Sequence, residues 1–167
     1  QVTVVRKNGL TIAFGALDVV GYFHTDTEKI RRRVEAMGVD LLVMGATHNH
    51  EGPDTSGQWG PGPGFPIQTG RSDAYMQYIE DQTVAAINEA IETLEPAQMS
   101  SGVLDVGTEG LAVHDSRAPY IFNDDVPVVR FVSEEDGQPI STLLSFGNHA
   151  EVLWSDNTLI TADYPHY

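Results

Sequence analysis

The sequence predicts an α/β domain, with α+β as the alternative, in which helices flank a mixed sheet. Three observations lead to this class. An Asn8-Gly9 pair lies between two apolar segments and is typical of a β-hairpin turn. Strand, helix and strand patterns then follow one another over residues 10–44, and residues 73–94 carry a long helical apolar stripe.

The first half of the chain contains a predicted hairpin followed by a βαβ unit. Thr25 is the predicted N-cap of the helix in this unit, because Glu28 three residues later completes a capping box. Gly38 is expected to end the same helix. The predicted strands are residues 1–6, 10–17 and 41–44.

The segment 51–71 is rich in glycine and proline and is predicted to be a long irregular loop. Because it comes directly after two histidines, we expect it to form a lid or a wall of a site. Trp59 and Phe65 are candidates to line an apolar substrate groove there. The alternative is that they only attach the loop to the body of the protein.

The second half of the chain is predicted to be a helix followed by β-strands. The pair Ser72-Asp73 is the predicted cap of a long helix that extends to about Leu94. No linker or internal repeat is visible, so we expect a single metal-dependent hydrolase-like domain over residues 1–167. The predicted strands are residues 101–105, 110–114, 127–132 and 139–146, and the last two form a hairpin.

The chain is strongly acidic, which excludes several classes of partner. Its 24 acidic and 9 basic side chains give a formal net charge of -15. Nucleic acids and anionic membranes would repel such a chain, so we expect no nucleic-acid partner. No run of about 18 apolar residues occurs, so no transmembrane span is expected. The acidity suits a secreted, periplasmic or cell-surface protein.

The composition also limits the chemistry. There is no cysteine, which excludes disulfides, thiolate metal sites and cysteine nucleophiles. Any metal site must therefore use histidine, carboxylate, tyrosine or water ligands.

The most informative segment is Thr47-His48-Asn49-His50-Glu51-Gly52-Pro53-Asp54. It follows the predicted buried strand, and histidines at i and i+2 on an extended backbone point to the same side. Gly52 and Pro53 then break the strand. Two imidazoles presented together at a sheet edge are suited to bind a divalent metal.

His149 is a third candidate metal ligand, because it also follows an apolar strand and a short Gly147-Asn148 break. A single histidine at a strand end is more often a hydrogen-bonded structural residue, so His149 alone would not define a site. The structural interpretation is kept for the remaining histidines, which are His24, His114 and His166.

Three blocks of the sequence share the order and spacing of a known family. Residues 47–54 are similar to a Thr-His-x-His-Ser-Gly-Pro motif. Residues 128–149 are similar to a hairpin that ends in an Asn-Phe-x-x-His block, and residues 156–165 to the Asn-Thr-Leu-x-Ser-x-Asp block that follows it. Together these blocks span nearly the whole chain. They resemble the N-terminal domain of the neutral/alkaline non-lysosomal ceramidases.

The resemblance implies a zinc-dependent amidase that cleaves the N-acyl bond of ceramide, so a ceramide-like lipid amide is the expected substrate. By position, His48 and His149 match the two zinc-binding histidines of the family. His50 matches the second histidine of the motif, which has a catalytic role beside the metal. Arg117 is the nearest equivalent of an arginine in the family's site.

The chain departs from the family at three points. Glu51 stands where the family has serine. The family's two remaining zinc ligands, a glutamate and a tyrosine, lie C-terminal to the matched region. Family members are several hundred residues long, and their similarity begins upstream of Gln1. We therefore expect an incomplete domain, whose further metal ligands come from a missing C-terminal region or from a second chain.

The residues themselves support the same chemistry. Zinc bound by neutral imidazoles can lower the pKa of bound water to about 7 and can polarise an amide carbonyl. His50 is placed to transfer a proton or to hydrogen-bond the oxyanion. Arg117 would stabilise the tetrahedral intermediate if it reaches the site, and Glu51 or Asp54 could orient a ligand imidazole.

Two functions other than an amidase could also be considered from the sequence. A His-x-His amidohydrolase on a TIM barrel would need about 250 residues and repeated strand-helix units, and the chain has neither. The second alternative is a non-catalytic secreted or surface assembly subunit that retains the hydrolase fold. The acidic surface and the incomplete ligand set would fit that subunit.

Overall fold

The computed structural model describes residues 1–60, 69–107, 115 and 117–166. Within these ranges the chain has two α-helices and two three-stranded sheets, so it is a mixed α and β protein. It divides into two compact units, the first formed by Gln1–Leu94 with His149–Tyr167 and the second by Glu95–Asn148. The elements are β1 (Val2–Lys7), β2 (Leu10–Leu17), α1 (His24–Glu35), β3 (Leu41–Ala46), α2 (Asp73–Glu92), β4 (Ala97–Asp105), β5 (Asp125–Ser133), β6 (Pro139–Leu144), and two 3-10 helices at Trp154–Asp156 and Tyr164–His166.

The sheet of the first unit is mixed, as the sequence predicts. Strand β2 lies in the centre, antiparallel to β1 and parallel to β3. The predicted hairpin turn is confirmed, because Asn8 and Gly9 both have positive φ angles, of 53° and 81°. The predicted βαβ unit is also confirmed, since α1 connects the two parallel strands β2 and β3.

Both helices cover one face of this sheet and form the core of the first unit with it. Val4 pairs with Ala13 and Ala13 pairs with Leu42, so these three side chains lie in one row on the same face. Helices α1 and α2 place their apolar stripes on that row. The buried residues of this core are Val4, Ala13, Ile30, Val34, Val39, Leu42, Val84 and Ile87.

The start of α1 differs from the prediction. The N-cap is Phe23, which makes no side-chain capping bond, and the predicted cap Thr25 already lies inside the helix. The capping box is therefore absent, and Glu28 instead forms an ion pair with Arg31 at 2.7 Å. Asp26 supplies the acidic side chain of the first turn instead.

Helix α2 starts where the sequence predicts. The hydroxyl of Ser72 accepts a hydrogen bond from the backbone N–H of Tyr75, so Ser72 is the N-cap. The helix ends at Glu92, two residues before the predicted end at Leu94. No helix within the described ranges is long and apolar enough to cross a membrane.

The second unit contains an antiparallel sheet of order β4-β5-β6. The predicted hairpin of its last two strands is confirmed, although β6 ends at Leu144, two residues earlier than expected. Strand β4 starts at Ala97, four residues earlier than predicted. The predicted strand 110–114 lies outside the described residues. The single mixed sheet is therefore corrected to two sheets, of which only the first is mixed.

An ion pair with a buried carboxylate attaches the loop that follows the His-x-His segment to the start of α1. The guanidinium of Arg71 donates to both carboxylate oxygens of Asp26, at 2.8 and 2.6 Å, and also to the carbonyl of Thr55. The Thr55 hydroxyl in turn donates to the carbonyl of Gly21. The hydrogen bonds from Arg71 hold the pKa of Asp26 below its ordinary value, with a smaller contribution from Lys29 and against the opposing effect of burial.

We predict that Arg71→Met lowers the free energy of unfolding by about 3 kcal/mol near neutral pH, because it leaves the Asp26 carboxylate buried without its main partner. The pKa of Asp26 is depressed in the folded state. The stabilisation by the pair is therefore complete above the ordinary carboxyl pKa and is lost as the pH falls through the depressed value.

Urea denaturation at several pH values measures both effects. Arg32→Met is the control, because it removes an exposed guanidinium from α1, the helix that carries Asp26. It should change stability little. An equal loss in both variants, or a loss independent of pH, would contradict the prediction.

Candidate metal centre

The His-x-His segment lies in a loop just after β3 rather than on the strand itself. The strand ends at Ala46, and the backbone N–H of Thr47 still donates to the carbonyl of Leu17. His48 then has a φ of 62°, so the backbone leaves the extended conformation at the first histidine. The expectation of an extended backbone is therefore wrong at this residue.

A buried asparagine fixes the orientation of both histidines. Asn49 is 1% exposed, while the histidines on either side of it are exposed. Its side-chain N–H donates to the carbonyl of Thr161 at 2.6 Å, and its side-chain oxygen accepts from the backbone N–H of Glu51. Asn49 is thus buried while His48 and His50 are exposed on either side of it, although the extended backbone on which the i and i+2 expectation rested is absent at His48.

The structure brings His149 to the same place. The ring centroids of His48 and His149 lie 4.5 Å apart, and those of His50 and His149 lie 4.7 Å apart. His48 and His50 are 4.8 Å apart. The rings of His48 and His149 stack at 19°, whereas the ring of His50 is nearly perpendicular to both. All three histidines belong to the first unit.

Each of the three imidazoles has an oxygen acceptor at Nδ1. The Nδ1 of His48 lies 2.5 Å from the carbonyl oxygen of Val20. The Nδ1 atoms of His50 and His149 lie 3.3 and 2.9 Å from the two carboxylate oxygens of Glu151. These partners assign the hydrogen of each neutral ring to Nδ1, which leaves the lone pair on Nε2.

The three residues fit a divalent metal such as zinc. Their candidate ligand atoms all lie within 4.8 Å of one another, and the Nε2 atoms of His48 and His50 are 3.4 Å apart. Two nitrogens bound at about 2.1 Å to a tetrahedral zinc are about 3.4 Å apart. Three imidazoles plus one exchangeable position are also sufficient for a catalytic zinc site.

The surroundings favour the neutral form of His50. Burial lowers the pKa of His50 below its ordinary value, and the neighbouring His149 and His48 lower it further, against the opposing effect of Glu151. A neutral imidazole is the form that binds a metal or accepts a proton.

The remaining predicted site residues have other positions. Arg117 belongs to the second unit, where its backbone N–H donates to the Asp115 carboxylate, so its role at the metal stays a prediction. The Glu51 carboxylate accepts from the Thr161 hydroxyl. Asp54 accepts from three backbone N–H groups of the next loop, those of Ser56, Gly57 and Trp59. The role of orienting imidazoles belongs to Glu151 instead.

The loop after the histidines brings one aromatic residue close to the metal centre. The Trp59 ring centroid lies 6.0 Å from that of His50, but Trp59 is not among the residues that line the open groove beside His50, so its groove-lining role stays a prediction. Phe65, the second aromatic residue predicted there, lies outside the described residues. So does His114, and the same holds for the His166 side chain. His24 is exposed on α1 and lies 3.9 Å from Glu28, in agreement with its structural interpretation.

Sequence reasoning missed the two acidic residues that support His149. Glu151 contacts two imidazoles, and the His149-Ala150-Glu151 spacing is the signal that could have shown it. Asp163 is 1% exposed and accepts from the backbone N–H groups of Val152 and Leu153. Burial raises the pKa of Asp163, but its backbone hydrogen bonds outweigh burial and hold the pKa below the ordinary value.

An open groove of about 600 Å³ lies next to the metal centre. His50 is the one histidine of the cluster among its lining residues, and Glu51 and Glu151 line it as well. The lining also contains three large apolar side chains that are exposed: Trp154, Leu159 and Ile160 are 68%, 72% and 78% exposed. Exposed apolar side chains that line a groove together with a few polar groups are typical of a binding site.

Comparison with known proteins finds no matching family model, no matching curated protein and no matching solved structure. The resemblance to the neutral ceramidases therefore stays a prediction from the sequence blocks.

We predict that Asn49→Ala lowers the free energy of unfolding by about 2 kcal/mol, because the Thr161 carbonyl and the Glu51 N–H lose their buried partner. Chemical denaturation measures the change. Asn88→Ala makes the same substitution at a half-buried position of α2, where the side chain donates to Glu92 within the same helix, and should change stability by about 0.5 kcal/mol. Equal effects of the two substitutions would show that Asn49 does not anchor the loop.

Proposed function

We propose that the protein is a zinc-dependent amide hydrolase that cleaves the N-acyl bond of a ceramide-like lipid. The observation that supports this most directly is the convergence of three imidazoles from two distant segments at the edge of an apolar groove. The groove lining combines His50, which lies beside the other two histidines, with apolar side chains that can bind hydrocarbon. A lipid amide would match both, because it has a carbonyl to be activated and a long apolar chain.

His48 and His149 would hold the zinc ion. Their rings are nearly parallel, each has an oxygen acceptor at Nδ1, and neither is among the residues that line the groove. Bound zinc acts as a Lewis acid and activates water for attack on a carbonyl. Further oxygen donors from a C-terminal region or from a second chain remain part of the proposal.

His50 would be the catalytic residue. It lines the groove and therefore faces the space that a substrate would occupy. Its ring is nearly perpendicular to the stacked pair, which distinguishes it from the two proposed ligands. A neutral imidazole at this position can accept a proton from the attacking water and return it to the leaving amine. Arg117 is retained as the proposed group that stabilises the oxyanion.

The alternative, a non-catalytic secreted or surface assembly subunit, is favoured by one observation. Strand β4 lies at the edge of its sheet and is exposed over its whole length. Its exposed side chains include Met99, Val103 and Leu104. An exposed apolar edge strand can pair with another chain. Under this alternative, substitution of His50 would leave assembly unchanged and no hydrolysis would be found.

The metal stoichiometry and three histidine variants test the proposal. We expect about one zinc ion per chain by element-specific mass spectrometry, and loss of N-acyl hydrolysis after chelation. His48→Ala and His149→Ala should lose the metal. His50→Ala should keep the metal but lower kcat at least about 100-fold, because it removes the proton-transfer group.

His24→Ala is the matched control, because it removes an exposed imidazole from the same unit without touching the cluster. It should keep both the metal and the activity. Absence of zinc from the native protein would overturn the proposal. Loss of the metal in His50→Ala would instead make His50 a ligand rather than the catalytic residue.

The groove predicts a dependence on acyl-chain length. Ile160→Ser should raise KM for a long-chain N-acyl substrate about 5-fold or more and leave KM for a short-chain substrate unchanged, because it removes apolar area that only a long chain covers. Leu10→Ser, on the β1–β2 hairpin, is the control for an exposed apolar residue outside the groove lining. A KM ratio unaffected by Ile160→Ser would exclude this groove as the acyl-chain site.

A further inference from the structure

The geometry points to Glu151 as the positioning residue that orients His50 and His149 with a single carboxylate. The purpose of this orientation, metal binding and proton transfer, rests on the proposed function. The orientation itself can be tested in the metal-free protein. Glu151 does not match any functional residue implied by the family resemblance.

The two oxygens of Glu151 have separate partners. One oxygen lies 2.9 Å from the Nδ1 of His149 and the other lies 3.3 Å from the Nδ1 of His50. Both contacts are on the side of the ring opposite to Nε2. The carboxylate therefore occupies the Nδ1 side of both imidazoles and leaves both Nε2 atoms available to bind a metal or accept a proton.

The backbone around Glu151 is fixed on both sides. Its own N–H donates to the carbonyl of His149 at 3.0 Å, which forms a tight turn that directs the side chain back to that histidine. The next two N–H groups, those of Val152 and Leu153, donate to the buried carboxylate of Asp163. Glu151 is thus held in place before any metal binds, which is the condition for a positioning role.

His48 is oriented by a different group. Its Nδ1 lies 2.5 Å from the carbonyl oxygen of Val20, a backbone atom just beyond β2. Removal of the Glu151 carboxylate should therefore release two imidazoles and leave the third in place. This difference supplies an internal control within the same protein.

Only a carboxylate can serve both histidines at once. An ionised carboxylate offers two acceptor oxygens, whereas a carboxamide offers one acceptor and one donor group. In Glu151→Gln the amide N–H₂ would meet one Nδ1–H, so that imidazole would have to rotate or to change its tautomer. Loss of such a carboxylate partner of a metal-binding histidine typically lowers metal affinity about 10- to 100-fold.

The first experiment records the tautomers of the imidazoles by ¹H–¹⁵N NMR in the metal-free protein, at a pH at which they are neutral. In the wild type we expect His48, His50 and His149 to carry the hydrogen on Nδ1. In Glu151→Ala, His50 and His149 should shift toward the Nε2–H form while His48 stays unchanged. Unchanged tautomers of His50 and His149 would overturn the inference. The His48 signal in the same spectrum shows that the variant is folded at the site.

The second experiment measures zinc affinity by competition with a chelator and the ligand-field absorption of bound Co²⁺. Zinc affinity should fall about 10-fold in Glu151→Gln and about 100-fold in Glu151→Ala. The Co²⁺ spectrum should show the wild-type number of nitrogen donors with altered geometry.

Asp156→Asn is the control, because it removes a nearby exposed carboxylate for which no imidazole contact is described. The zinc affinity of this variant should stay within about 2-fold of the wild type. If Asp156→Asn and Glu151→Ala lower zinc affinity equally, the loss is a general effect of negative charge, and the inference is overturned.

The two experiments separate this inference from the proposed function. If the tautomers follow Glu151 but the wild type binds no zinc, the positioning role stands and the zinc-dependent hydrolase does not. If the wild type binds zinc and hydrolyses amides while the tautomers ignore Glu151, the hydrolase stands and the positioning role is overturned.

Discussion

The hydrogen bond from the Asn49 side chain to the Thr161 carbonyl is the interaction on which the metal centre depends. It joins residues 112 positions apart and lies in a buried environment, where an unpaired amide would cost about 1–3 kcal/mol. This bond attaches the His-x-His loop to the C-terminal segment, and Asp163 attaches the turn that carries Glu151 to the same segment. The two halves of the histidine cluster are therefore held together by buried polar groups, while the imidazoles themselves remain exposed.

Backbone strain is concentrated in the same region. Three non-glycine residues around the site, His48, Trp154 and Asp163, have φ angles of 62°, 52° and 51°. A non-glycine residue in this conformation costs of the order of 1 kcal/mol, and such residues persist only where the surroundings enforce them. Here the enforcing groups are the Val20 carbonyl on the His48 ring and the backbone N–H groups on the Asp163 carboxylate. The strain and the hydrogen bonds together give the loops one defined conformation.

The body of the first unit provides a rigid support for these loops. The parallel pairing of β2 and β3 brings the chain out at one edge of the sheet, directly before His48. The buried residues of the core beneath them are aliphatic side chains from the three strands, the two helices and Val39, which lies between α1 and β3. The ion pair of Arg71 with Asp26 then returns the long loop to the start of α1. The metal centre thus lies on loops that are attached to well-packed elements of the first unit.

The sequence by itself determined the periodic elements and the ligand types. Asn8-Gly9 specified the hairpin, Ser72 specified the start of α2, and the lack of cysteine left histidine as the main metal donor, because each of these depends on local chemistry. Only the tertiary structure decided that α1 begins before Thr25, that the sheet is divided into two, and that Glu151 lies behind two imidazoles. These features depend on contacts between residues that are distant in sequence, such as Asp26 with Arg71 and His50 with Glu151. No local pattern encodes which of several acidic side chains will contact a given arginine or histidine.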